Sequence, residues 1–217
     1  MIRLEKVFKY YRGRTDRKII LDNVSMTFES GISYALLGIN GAGKSTTMRI
    51  LAGTEMPNSG KVVREATISW PLGFGGGMHP KLTGRENCHF VARIYGQDPR
   101  SVTRYVEDFS ELGADIDEPF NTYSSGMAQR LAFGLSMAVD FECYLIDEVI
   151  AVGDARFQQR CASEFRKRRE RSDVIMISHS MEMLREYCTR GIVLAHGIMH
   201  EFSSVDDAIE LYKKLNE

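Results

Sequence analysis

Residues 38–46 read GINGAGKST, and residues 38–45 fill every position of the pattern GxxxxGK[ST]. That spacing suits a nucleotide's phosphates. Within the run Gly38, Ile39, Asn40, Gly41, Ala42, Gly43, the glycines at 41 and 43 let backbone N–H groups wrap a β-phosphate. Lys44 reaches the β- and γ-phosphates as a point charge, Ser45 offers a hydroxyl to Mg²⁺, and Thr46 follows in the same turn. A second run, CYLIDE (143–148), ends an apolar stretch on Asp147 and Glu148. Asp147 is placed to hold Mg²⁺ through its water shell, and Glu148 to polarise an attacking water. A third, TYSSGMAQR (122–130), opens a helical rhythm of Met127, Leu131, Leu135 and Ala138 with Ser124, Ser125 and Gly126. Hydroxyls and bare N–H groups at the positive end of a helix favour an anion. ISHS (177–180) ends another apolar run on His179, a side chain able to hydrogen-bond a γ-phosphate. AVGD (151–154) is a glycine-containing turn ending on Asp154. Tyr11 follows the first strand and offers a ring to a base, with Tyr10 as its neighbour and competitor.

These groups need elements to hold them. ISYALLG is a short apolar run that fits a buried parallel strand feeding the glycine turn, and KSTTMRILAG is a helix stopped by Gly53 and Pro57. IRLEKVFKY and KIILDNVSMTFES alternate as strands joined by the polar hairpin RGRTD, and KVVREATISW returns to a strand pattern. FECYLID and DVIMISH are buried strands, GIVLAHGIMHEF is a hairpin turning at His196-Gly197, and SSVDDAIELYKKLNE is a capped amphipathic helix. Helical segments around 85–96, 101–112 and 125–139 dominate the middle third. Alternating strands and helices imply an α/β chain with a parallel sheet covered on both faces, interrupted by an inserted helical lobe.

Composition narrows the classes further. With 217 residues, 43% hydrophobic and 26% charged, the chain is ordinary globular material. Its net charge of −1 argues against a nucleic-acid coat, and RKRRERS (166–172) is read as a solvated helix face. Cys88, Cys143, Cys161 and Cys188 are scattered without a CxxC, which suits free thiols in a reducing compartment. No apolar run approaches the ~20 residues that span a bilayer, and MIRLEKVFKYY lacks a signal-peptide core. A cytoplasmic protein that reaches a membrane only through a partner is the expectation.

Taken in order, these motifs resemble the nucleotide-binding subunit of an ABC transporter, and the likeness runs through essentially the whole chain. The resemblance implies a P-loop NTPase (ABC ATPase) core with an N-terminal antiparallel β-subdomain and an inserted α-helical subdomain. The boundaries it suggests are 1–77 and 140–217 for the core and 78–139 for the helical part. It assigns Tyr11 to the A-loop, residues 38–46 to ATP, Asp147 and Glu148 to Walker B and the catalytic base, Asp154 to the D-loop and His179 to the H-loop. It also implies that Ser124, Ser125 and Gly126 meet the γ-phosphate of ATP bound on a second copy of the chain, in a head-to-tail homodimer. This chain departs from the family twice. YSSGM stands where the family usually has LSGGQ, and the Q-loop glutamine is missing, with Met78-His79 in its place. His79 is the expected substitute.

The stretches ISWPLGFGGG, LTGREN, FSELG, TYSSGM, RLAFGLSMAVDF, CYLIDEVIAVGDARF and ISHS are similar to the ATP-binding component of Gram-negative capsular polysaccharide exporters. That resemblance implies ATP and Mg²⁺ as cofactors, integral membrane permease subunits as partners, capsule polysaccharide as indirect cargo and no nucleic acid. The site of action it implies is the cytoplasmic face of the bacterial inner membrane. Export of another envelope polymer (O-antigen, teichoic acid or lipid) is the alternative, and a soluble ABC ATPase a more distant one.

Overall fold

The structure is a computed structural model that describes residues 1–13, 16–71, 78–147 and 154–216. Its first elements are β1 (Ile2–Arg12), β2 (Arg17–Phe28), β3 (Tyr34–Leu37), α1 (Lys44–Ala52) and β4 (Ser59–Arg64). Three helices follow: α2 (Gly84–Ile94), α3 (Pro99–Ser110) and α4 (Ser125–Ala138). Then come β5 (Cys143–Asp147), α5 (Ala155–Arg169), β6 (Asp173–Ile177), α6 (Met181–Tyr187), β7 (Arg190–Ala195), β8 (Ile198–Phe202) and α7 (Val205–Asn216). The chain divides into two compact units. Residues Met1–Pro71, Glu142–Glu148 and Ser172–Glu217 form one, and Leu72–Phe141 with Val149–Arg171 form the other.

The first unit holds two sheets. Strands β2-β1-β4 make an antiparallel sheet, and β5-β6-β3-β7-β8 make a five-stranded one. In the larger sheet β5, β6, β3 and β7 run parallel, while β8 returns antiparallel along β7. This antiparallel edge is the hairpin read from GIVLAHGIMHEF. The cause is the tight turn at His196 and Gly197, both at positive φ, which only an antiparallel hairpin can use. Every residue of β3 and β5 is buried, as expected of strands without a polar alternation. In β1 the buried set is Ile2 and Leu4, then Val7 and Lys9. The change of phase follows from a bulge at Lys6, whose φ is 49°. The core gathers Ile2, Leu4 and Val7 with Leu36, Met48, Leu51, Leu145 and Ile192, so α1 and the central strands share one apolar mass.

The second unit is helical. Thr83 and Glu86 close a capping box on α2, and Asp98 caps α3 with Pro99 at its first position. An aromatic cluster binds the helices. Phe109 stacks with Tyr105 and Phe133 at 5.8 Å each and meets Phe157 edge-on at 5.4 Å. That last contact explains why α5 groups with the helical unit, whereas the boundaries read from the sequence put it in the core. Phe157, Cys161 and Phe165 are the buried face of α5. The basic end of α5 has a structural account: Arg168 pairs with Asp140 and Glu164, and Lys167 with Glu164 at 3.2 Å. Cations at a helix C-terminus also complement its dipole. All four cysteines are buried free thiols, and burial pushes Cys88, Cys143 and Cys161 up to about 12. Among the described residues no helix is long and apolar enough to cross a membrane.

Candidate nucleotide site

The turn between β3 and α1 is built on backbone conformations that side chains resist. Gly38, Gly41 and Gly43 have φ of 156°, 79° and 108°. A Cβ at Gly38 would lie 2.6 Å from the Leu194 carbonyl oxygen, and one at Gly43 would collide with Ile20 Cγ2. Gly43 is the N-cap of α1 and supplies no side chain, so the helix starts with its N–H groups facing the turn. The turn is closed by Ala42 N–H donating to the Ile39 oxygen at 3.1 Å and Thr47 N–H to the Gly43 oxygen at 2.8 Å. Lys44 Nζ donates to the carbonyl oxygens of Gly38 and Ile39 at 2.7 and 3.3 Å, which holds the amine across the mouth of the loop.

This loop opens on a cavity of about 310 Å³, lined by Tyr11, Asn40, Gly41, Gly43, Lys44, Ser45, Thr46 and Asp147 together with Lys18 and Ile20. Asp147 ends β5 and is 8% exposed. The Ser45 hydroxyl and the Asp147 carboxylate are hard oxygen donors on one cavity, which fits Mg²⁺ better than a softer metal. A glycine-lined cradle under a lysine fits a polyphosphate.

Tyr11, rather than Tyr10, is the aromatic on this cavity. Its hydroxyl donates to Glu55 Oε1 at 2.5 Å and lies 3.3 Å from Thr46 Oγ1. Glu55 also accepts from Lys9 Nζ at 2.7 Å and Arg49 Nε at 2.9 Å, and Lys9 lies over the Tyr11 ring at 5.1 Å. Tyr10 instead packs with Phe8 and carries Arg17 over its ring. The Lys9–Glu55–Arg49 bracket and Lys18 were not legible as site residues. The only signal for Lys18 is register: it stands opposite Tyr11 in the β1–β2 pair.

The remaining expected residues lie elsewhere. His179 is exposed, two residues past β6 and outside the residues lining this cavity. Ser124 is the N-cap of α4, its Oγ accepting from Met127 N–H at 3.3 Å. Ser124 and Ser125 are exposed, and open space lies where a Gly126 Cβ would point. These three belong to the helical unit. So does His79, an exposed residue whose Nδ1 accepts from Lys81 N–H at 3.3 Å. Buried Asn87 clamps the His79 backbone, accepting from its N–H at 2.7 Å and donating to its carbonyl at 3.2 Å. Asp154 caps α5 through Phe157 N–H at 3.0 Å and pairs with Arg130 at 2.8 Å. Glu148, the expected base, lies outside the described residues.

A family model described as ABC transporter matches residues 21–151. The chain is 49% identical over 217 residues to the polysialic acid transport ATP-binding protein KpsT of Escherichia coli, covering 99% of each chain. It is 47% identical over 216 residues to the capsule polysaccharide export ATP-binding protein CtrD of Neisseria meningitidis serogroup B, covering 99% of this chain and 100% of that one. Among solved structures, a dimeric ATP-binding cassette in a post-hydrolysis state with ADP and Pi superposes with a TM-score of 0.75. It is 21% identical and covers 94% of this chain and 98% of its own, which speaks to the fold. Glycine loop, β5 carboxylate, family match and full-length relatives agree: the chain belongs to the ABC transporter family and is one of its ATP-binding domains.

Proposed function

We propose that this chain is the ATP-hydrolysing subunit of an exporter that carries capsular polysaccharide across the bacterial inner membrane. The observation that carries the proposal is an identity near one half, over matches that span the whole chain and so take in the helical unit, to relatives named for capsule polysaccharide export and polysialic acid transport. Loops that bind ATP report only ATP use; likeness across the helical unit says more about the task. Two copies would work as a homodimer on integral membrane permease subunits, at the cytoplasmic face of the membrane.

The division of labour follows from the residues. Tyr11 would stack on the adenine, held upright by Glu55, while the 38–46 loop and Lys44 cradle the phosphates. Ser45 and Asp147 would hold Mg²⁺, which neutralises charge on the transferred phosphoryl when bound. Glu148 would orient the attacking water and His179 would contact the γ-phosphate. Ser124, Ser125 and Gly126 would bind that phosphate on the partner copy through the start of α4. Contacts from both copies to one nucleotide make dimer closure depend on ATP, and phosphate loss reopens it.

The test is Lys44→Ala on the chromosome, with the surface polymer located by immunogold labelling and cell fractionation. Polymer trapped inside the cell is expected. A normal capsule would overturn the export assignment, and absence of ATP turnover by the purified, unaltered protein would overturn the enzymatic one.

A further inference from the structure

Arg130 lies on α4 six residues beyond the Ser124 cap, ~9 Å along the axis. Its side chain is 20% exposed and is held from several directions. Nη2 donates to Asp154 Oδ2 at 2.8 Å, and Nη1 to Glu111 Oε2 and the Ser110 carbonyl at 3.4 Å each. The guanidinium lies over the Phe157 ring, 4.5 Å from its centroid. Asp154 is divided between two helices. Its Oδ1 accepts from Phe157 N–H and so caps α5, while Oδ2 takes Arg130 from α4. Glu111 terminates α3 in the left-handed region at φ 56°. Its carboxylate there meets Arg130, Arg156 and Arg160 at 3.4, 3.6 and 2.9 Å, the last two from α5. Arg160 also pairs with Asp108 at 3.0 Å and lies over Phe109.

We infer that Arg130 is a positioning residue that locks the anion-binding start of α4 to the Asp154 cap of α5, so that Ser124, Gly126 and Asp154 move as one body. A planar guanidinium with fixed donor directions, seated on a ring and shared by two carboxylates, transmits orientation in a way a flexible ammonium does not. The catalytic consequence rests on the proposed function: both ends of this lock face a phosphate and its partner copy only in a working homodimer. The 38–46 loop belongs to the other unit, and the cavity it opens on is lined by neither Arg130 nor Asp154.

The test uses the full chain with Arg130→Met, Arg130→Lys, Asp154→Asn and the Arg130→Met/Asp154→Asn double variant. Hydrogen exchange at residues 124–130 and 154–160 is read beside ATP affinity, KM and kcat. Arg130→Met is expected to speed exchange at both helix starts together and to lower kcat about tenfold, with ATP affinity and KM within about twofold. Arg130→Lys recovers part of kcat. The double variant is no worse than the worse single one, since both cut one link. Losses that multiply in the double variant, or exchange that rises at α4 alone, overturn the inference. Failure of the proposed function shows instead in the unaltered protein as absent turnover, and exchange in the variants still decides the lock.

Discussion

Replacing Glu55 by glutamine tests the bracket behind the cavity. Burial by itself raises the Glu55 pKa, but hydrogen bonds from Lys9, Tyr11 and Arg49 outweigh it and hold the carboxyl at about 2, against an ordinary 4.5. The side chain is 18% exposed, so solvent screens the group little. A displacement of that size corresponds to at most about 3 kcal/mol of stability at neutral pH. The folded-state pKa lies below the unfolded one, so this contribution is complete above about pH 4.5 and is lost as the pH falls towards 2. Glu55→Gln keeps the shape and removes the charge. Urea unfolding can be followed through Trp70, the single tryptophan, which is buried in the same unit as Glu55. The variant should be about 1–3 kcal/mol less stable at pH 7, with roughly half of that gap gone by pH 3. Loosened Tyr11 should also weaken ATP binding severalfold while inorganic tripolyphosphate binds as before. A gap under about 1 kcal/mol at pH 7, or one unchanged down to pH 3, would refute the role given to the three hydrogen bonds.

Three further outcomes follow from the geometry. Gly43→Ala should cost about 2–4 kcal/mol from the positive φ and the collision with Ile20, and should abolish ATP binding; adding Ile20→Ala should not restore binding, since the φ strain remains, and calorimetry with ATP reads both. Asn87→Ala strips four hydrogen bonds that hold the turn at His79, Leu82 and Thr83, so a loss of about 2–4 kcal/mol and faster exchange at residues 79–83 are expected; an unchanged melting temperature would contradict this. His79→Ala should leave ATP affinity intact but uncouple hydrolysis from polymer export in cells, and unchanged export would remove His79 from the mechanism.

The chemistry-bearing turns were legible because local rules govern them. A glycine at positive φ, a lysine and a hydroxyl in fixed order can serve few purposes but phosphate binding, and the buried runs YALL and CYLID announce central parallel strands. A serine cap on α4 was legible as Ser124 or Ser125, since a cap is a contact between residues three apart, and the structure selects Ser124. By contrast, the bracket around Tyr11 joins β1 to the end of α1, 44 residues on, and nothing local to either stretch points to the other. The bulge at Lys6 was hidden for a similar reason: it shows only as a change of burial phase against two neighbouring strands.

By itself, then, the sequence determined most of the elements, though not the short α6, and which loop carries phosphate chemistry, because helix periods, caps and glycine turns are set by neighbours within a few residues. Tertiary structure decided which tyrosine faces the cavity, that β1 carries a bulge at Lys6, and that α5 joins the helical unit through Phe157 and Arg130. Those outcomes depend on pairings between segments distant along the chain, where burial and charge select one register among several that local preference allows.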